Sequence, residues 1–164
     1  MALSFPARRR RRSWNRARAI ARKLLGLSPA ELAELVRAQV ALLGAQVTVW
    51  TRPVGQLVTN DSVAGVAEES GEVEPVALRI ALAVNRAAAY GVFRPLCLVR
   101  AVALSRMLET RGLHGSRIRV GVRRRRGRFA AHAWVEYKNQ VLGDREEHVG
   151  TFAPLDDVQL LRKA

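Results

Sequence analysis

The chain is poor in the residues that staple small proteins together or bind metals. It has one cysteine, Cys97, and three histidines, His114, His132 and His148. A single cysteine cannot close an internal disulfide or build a Cys-rich zinc centre, so a secreted disulfide scaffold is excluded. No His-Glu-x-x-His spacing occurs, and the sequence offers no metal or cofactor motif. Long apolar runs are also lacking. The longest uncharged stretch, Ala38 to Thr51, covers about 14 residues and contains Gln39 and Gln46. A helical membrane span needs about 20 mostly apolar residues. The N-terminal region is no better as a secretory signal, because Arg22 and Lys23 interrupt any apolar core.

Acidic residues are scarce: 28 Lys+Arg stand against 14 Asp+Glu in 164 residues, a formal charge of +14. The excess is local. The first 30 residues hold nine basic groups (Arg8 to Arg12, Arg16, Arg18, Arg22 and Lys23) and no acid. Arg123 to Arg126 and Arg128 add five more. The remainder balances, with 14 basic and 14 acidic residues. This describes a neutral body with two basic appendages rather than a generally basic globule. The Arg-rich, acid-free start also has the composition of a mitochondrial transit peptide. However, arginine outnumbers lysine 25 to 3 over the whole chain, which a coding bias produces without targeting.

Half the residues are apolar, enough to bury a core. Five consecutive arginines predict a disordered tail over residues 1–15. A basic helical segment is expected from Trp14 to Leu25. Ser28-Pro29-Ala30-Glu31 is a helix start, with Ser at the N-cap, Pro at the first position and Glu31 completing a capping box. The helix runs towards Val49, with Leu32, Leu35, Val36, Val40 and Leu43 at helical spacing. Thr51-Arg52-Pro53 ends it. Residues 55–74 read as a loop with a short helical turn. Pro75 opens a second helix to Tyr90, with Val76, Ile80, Ala83, Val84 and Ala87 as its buried stripe and Gly91 as its stop. A third helix runs from Cys97 to Thr110 and stops at Gly112. The period then falls to two. Ile118, Val120 and Val122 mark one strand, Arg123 to Arg128 a turn, and Phe129 to Tyr137 a second strand. Lys138-Asn139-Gln140 forms the next turn, and Val141-Leu142 a short third strand. The last ten residues are expected to form a turn or short helix. Helices followed by an antiparallel meander give an α+β fold.

Three residues carry candidate chemistry. Cys97 starts a helix, where the dipole and free backbone amides favour a thiolate, the nucleophile of a cysteine hydrolase. A lone cysteine is also commonly just a small buried hydrophobe. His132 shares a strand face with Ala130, Trp134 and Glu136, and its small neighbours leave room for a group to approach the imidazole. It is a candidate general base, or else a half-buried strand histidine with a backbone partner. Asp144 lies twelve residues on, across a hairpin. A three-residue loop places it opposite Trp134 and diagonal to His132, where it can fix the imidazole tautomer. A two-residue loop puts it on the wrong face unless a bulge intervenes, leaving an exposed turn aspartate.

The run Cys97-Leu98-Val99-Arg100-Ala101-Val102-Ala103-Leu104, then Leu108 to Gly112, Gly121-Val122 and Ala131-His132-Ala133-Trp134-Val135-Glu136 resembles the leader peptidases of lasso-peptide biosynthesis. These are transglutaminase-like cysteine proteases. The likeness covers about residues 90 to 155, and residues 30 to 90 are loosely similar to the short stand-alone form of that family. It implies a cytoplasmic, cofactor-free peptidase that cuts the leader from a ribosomally made precursor and frees a core amine, which a separate cyclase joins to an acidic side chain. It implies Cys97 as nucleophile, His132 as general acid/base and Asp144 as the group orienting His132. A leader-binding protein would deliver the precursor, and the Cys97 backbone amide would serve the oxyanion hole. Trp134 and Glu136 would be supporting residues, and His114 and His148 surface residues. The Arg-rich tail is not a hallmark of that family, and the turn Lys138-Asn139-Gln140 lacks the glycine common there. The expected organisation is a basic extension (1–27), a helical region (28–90) and a catalytic core (91–164) forming one compact domain with 28–90.

Two readings from other directions stand beside this one. A nucleic-acid-binding module would use the two arginine clusters for phosphate contacts with steep salt dependence. No aromatic-interleaved basic stripe or nucleic-acid motif supports it. An amidase or acyltransferase on the same fold would use the same three residues. The arginine clusters are expected to meet an acidic partner or to be merely solvated. The apolar stretch 38–50 is either a docking face or core.

Overall fold

The computed structural model describes residues 26–57, 71–125 and 127–155. The expected basic tail, the 14–25 segment, the centre of the 55–74 loop, Arg126 and the chain end from 156 lie outside the described residues.

Helix α1 (Pro29–Thr51) begins where the capping box predicts. The Glu31 amide donates to Ser28 Oγ at 3.2 Å, and the Ser28 amide donates to Glu31 Oε2 at 2.9 Å. Arg52 caps the other end in extended geometry, as the following Pro53 requires. A 3-10 turn (Val54–Gln56) follows. Helix α2 (Pro75–Tyr90) opens on Pro75 and buries Ala77, Ile80, Ala81, Ala83, Val84 and Ala87. It ends at Gly91 for lack of space rather than for handedness: φ there is −74°, and a Cβ would sit 1.8 Å from Gln39 Oε1. Helix α3 (Cys97–Glu109) ends differently. Gly112 has φ +74°, and the Leu113 amide returns to Leu108 O at 3.0 Å, the left-handed helix stop that favours glycine.

The three helices pack together, and α3 lies against one face of a sheet. Strands β1 (Arg117–Arg125), β2 (Arg128–Tyr137) and β3 (Gln140–Leu142) form the expected antiparallel meander. A short helix α4 (Glu146–Val149) and strand β4 (Ala153–Pro154) follow. Strand β4 pairs with the far side of β1, giving the order β3-β2-β1-β4. The fold is therefore α+β, with one strand more than the periodicity shows.

Three expectations need correction. Arg123 to Arg128 is not a turn: β1 runs through Arg125 and β2 starts at Arg128, with Arg124 paired to Phe129. The hairpin after β2 is not a three-residue turn either. Tyr137 pairs with Gln140, so Lys138 and Asn139 alone make the connection, with φ of +51° and +61°. Asparagine tolerates that region. Lys138 is held there by its ammonium, which donates to Glu74 Oε1 at 2.6 Å ahead of α2. Finally, of the evident apolar stripe of α1 only Leu35 packs against the core. Ala38, Leu42, Ala45 and Thr48 face the core, while Leu32, Val36, Val40, Leu43, Val47 and Trp50 are exposed. The helix is apolar on two nearly opposite sides, which makes it long and apolar enough to cross a membrane by length and composition. Its inner side is nonetheless packed on α2 and α3.

The sheet separates two cores. Ile118, Ala133, Val135, Tyr137 and Leu142 join the helices. On the opposite face, Trp134, Val149 and Phe152 form a second small cluster, covered by α4 and the approach to β4.

Candidate active site

Strand β3 pairs only with Val135, Glu136 and Tyr137, so the edge of β2 from Trp134 backwards lacks a β3 partner. The N-terminus of α3 meets the sheet beside this gap. Cys97, Arg100, His132, Trp134, Gly143 and Asp144 line one narrow cleft there. The three residues singled out in the sequence are thus brought together.

Cys97 is the first residue of α3 and is part-buried. The N-cap Leu96 contributes no side-chain hydrogen bond. The first amides of a helix have no intrahelical acceptor and carry the positive end of the dipole. The Cys97 amide is one of these donors, beside its own Sγ.

His132 lies on the second-core face of β2. Its Nε2 is 2.5 Å from Asp144 Oδ2. With the proton on Nε2 donated to the carboxylate, Nδ1 keeps its lone pair for a substrate-side proton. The ring is held by aromatics. Trp134 stacks at 6.4 Å, Phe152 lies at 5.1 Å and His148 meets it edge-on at 4.9 Å. The indole Nε1 donates to Glu136 Oε1 at 2.8 Å, and Arg119 Nε donates to Glu136 Oε2 at 3.0 Å. Gly121, opposite His132 in the ladder, gives the indole its space: a Cβ there would lie 2.9 Å from the Trp134 ring and from Phe152 Cβ.

Asp144 reaches His132 despite the two-residue hairpin that would put it on the other face. The ladder stops at Leu142, and Gly143 turns the chain with φ +77°. That left-handed residue re-aims Asp144, doing the work of a bulge. Two side chains pin the turn. Asn85 Nδ2 of α2 donates to Gly143 O at 2.9 Å, and Arg100 of α3 donates to Asn85 Oδ1 at 2.6 Å and to Gly143 O at 3.4 Å. Burial opposes ionisation of Asp144. The hydrogen bonds from His132 and the Arg145 amide, with the charges of His132 and His148, outweigh it and hold the carboxyl below its ordinary range.

Sequence reasoning missed Asn85 and the role of Arg100. Two signals were available. Asn85 is an uncharged polar residue at the edge of the apolar stripe of α2, and Arg100 lies one turn along from Cys97 on the same helix face. His148 is exposed, as expected of a surface residue, yet it stands against His132. One arginine of the second cluster also comes close. Arg123 stacks on Phe152 at 4.4 Å and donates to Thr151 Oγ1 at 3.0 Å.

No curated protein and no solved structure matches the chain. The family model of the transglutaminase-like superfamily does, over residues 40–156, a span that contains Cys97, His132, Asp144, Asn85 and Arg100. A helix-borne cysteine, a strand-borne histidine paired with a carboxylate and an antiparallel sheet behind them agree with that match, and the chain belongs to the transglutaminase-like superfamily.

Proposed function

We propose that the chain is a cytoplasmic cysteine peptidase that removes the leader from a ribosomally synthesised lasso precursor. The observation that carries the chemistry is the cleft in which Cys97 at a helix N-terminus meets a His132–Asp144 pair. The precursor assignment is supported by the Cys97 to Leu104 run and by Ala131 to Glu136, both of which border that cleft.

In this reading Cys97 Sγ attacks the scissile carbonyl and His132 Nδ1 takes the thiol proton. The tetrahedral oxyanion faces the Cys97 amide. Collapse breaks the C–N bond, and His132 delivers its proton to the departing core amine. Water, deprotonated by His132, then hydrolyses the leader thioester and restores the thiol. Asp144 stays ionised, holds the Nε2 proton and stabilises the imidazolium. The freed amine passes to a cyclase, and a leader-binding protein presents the precursor. The arginines at residues 8–12 and 123–128 would meet an acidic surface on the leader or on one of these partners.

The test is cleavage of a synthetic precursor in the presence of the leader-binding protein, read by mass spectrometry. Wild type should release a free core amine, and Cys97→Ala should release none while keeping its far-UV circular dichroism. Cleavage by Cys97→Ala would refute the assignment. Transfer of the leader acyl group to an added amine, without hydrolysis, would make the protein an acyltransferase instead.

A further inference from the structure

We propose that His132, Asp144 and His148 form a binding site for a divalent transition metal of the zinc type, and that the bound ion switches the peptidase off. The inhibitory half rests on the reading of the preceding section; the binding half does not. Each of the three residues offers one ligand atom, and these atoms lie within 4.8 Å of one another. Zinc takes imidazole and carboxylate ligands at about 2.0–2.2 Å, so neighbouring ligands on one tetrahedral ion are roughly 3.4 Å apart. Binding therefore draws His148 in and opens the 2.5 Å His132–Asp144 contact by about 0.9 Å. The His148 side chain is exposed and sits on the four-residue α4, so it can make most of the adjustment.

The donor set suits the ion. Two imidazoles and one carboxylate are borderline ligands favoured by zinc, and three protein ligands leave a fourth position for water. Asp144 arrives already oriented. Its Oδ1 accepts from the Arg145 amide at 2.8 Å, which leaves Oδ2 for the metal. Arg123, a cation on this face, is turned onto Phe152 and Thr151.

The chemical consequence follows from proton balance. When the ring carries a single proton, an ionised Asp144 places that proton on Nε2, 2.5 Å from Oδ2. A metal that takes the Nε2 lone pair displaces that proton to Nδ1. No proton is gained or lost by the ring, but Nδ1 is now a donor and cannot accept the proton of Cys97. The metal also withdraws Asp144 from the imidazole. The base is therefore silenced without any bond to the thiol.

The experiment uses the full chain carrying Cys97→Ala, so that binding is read without activity and without a thiol ligand. Zinc titrated by calorimetry, and Co²⁺ followed by its visible absorption, should bind one ion per chain. His148→Ala and His148→Gln in that background, checked for folding by circular dichroism, should weaken zinc binding at least tenfold. In the chain with Cys97 intact, zinc should inhibit precursor cleavage, and His148→Ala should shift the inhibition curve by a similar factor. Binding that ignores both His148 variants would overturn the proposal, as would binding that vanishes with Cys97→Ala and so belongs to a Cys97–His132 site. If zinc binds the Cys97→Ala chain as expected but the intact chain cleaves no precursor, the metal site stands and the peptidase reading fails.

Discussion

Asn85 provides the sharpest test of how the site is held. Its side chain makes two part-buried hydrogen bonds, accepting from the Arg100 guanidinium at 2.6 Å and donating to Gly143 O at 2.9 Å. Asn85→Ala removes both. A hydrogen bond to a charged group contributes about 1.5–3 kcal/mol and a neutral one about 1 kcal/mol. Arg100 Nε already lacks a partner, so the guanidinium would be left with only the 3.4 Å contact to Gly143 O. The expected loss is about 2–4 kcal/mol. For a domain of this size that is a fall in Tm of roughly 5–15 °C, measured by thermal and urea unfolding. Gly143 precedes Asp144, so loosening it should lower kcat more than it raises KM. Asn85→Asp separates the two bonds. It keeps an acceptor for Arg100 but loses the donor to Gly143 O, so stability should largely survive while kcat falls. If Asn85→Ala changes stability by less than about 0.5 kcal/mol and leaves kcat unchanged, the claim that Asn85 and Arg100 position Asp144 is wrong.

Asp144 predicts a pH dependence. Its carboxyl is held below the ordinary range in the folded protein, so its contribution to stability is present at neutral pH and above the unfolded-state value. It is lost as pH falls through the lowered folded value; Asp144→Asn should flatten that acid limb in pH-resolved unfolding and cut kcat by orders of magnitude, and a variant that keeps the wild-type acid limb would remove Asp144 from the account. Gly121→Ala should cost about 1–3 kcal/mol by overpacking Trp134 and Phe152, and it should lower kcat by disturbing the ring beneath His132; a neutral result in urea unfolding would contradict the close approach. Leu42→Ala should destabilise by about 2–5 kcal/mol and Val40→Ala by less than about 0.5 kcal/mol, because Leu42 is fully buried and Val40 is 63% exposed. The reverse order would show that α1 is rotated.

Much of the local structure could be read directly. Ser28, Pro29 and Glu31 placed the start of α1 because capping is a contact between residues three apart. Gly112 placed the end of α3 because a left-handed stop is a property of one residue. Cys97 at a helix start and His132 on a strand were legible for the same reason, as was the α+β order of elements. The buried side of α1 was not. Its larger apolar residues lie on the exposed side, while close helix packing selects the smaller Ala38 and Ala45 alongside Leu42. Periodicity reports an apolar face but cannot say which of two faces finds a neighbour.

The register of Asp144 shows the division most clearly. Sequence determined that a carboxylate follows the histidine strand by one hairpin, and it named the two loop lengths that would matter. The tertiary structure adopts the loop that alone would have failed, and recovers the contact through Gly143, with Asn85 and Arg100 holding its carbonyl from two different helices. The same long-range closure brings His148 and Phe152 against His132, through a helix and a strand too short to leave a periodic signal. Local rules set which residues could do chemistry here. Which of them touch was decided by contacts between segments far apart in the chain, which no window of sequence contains.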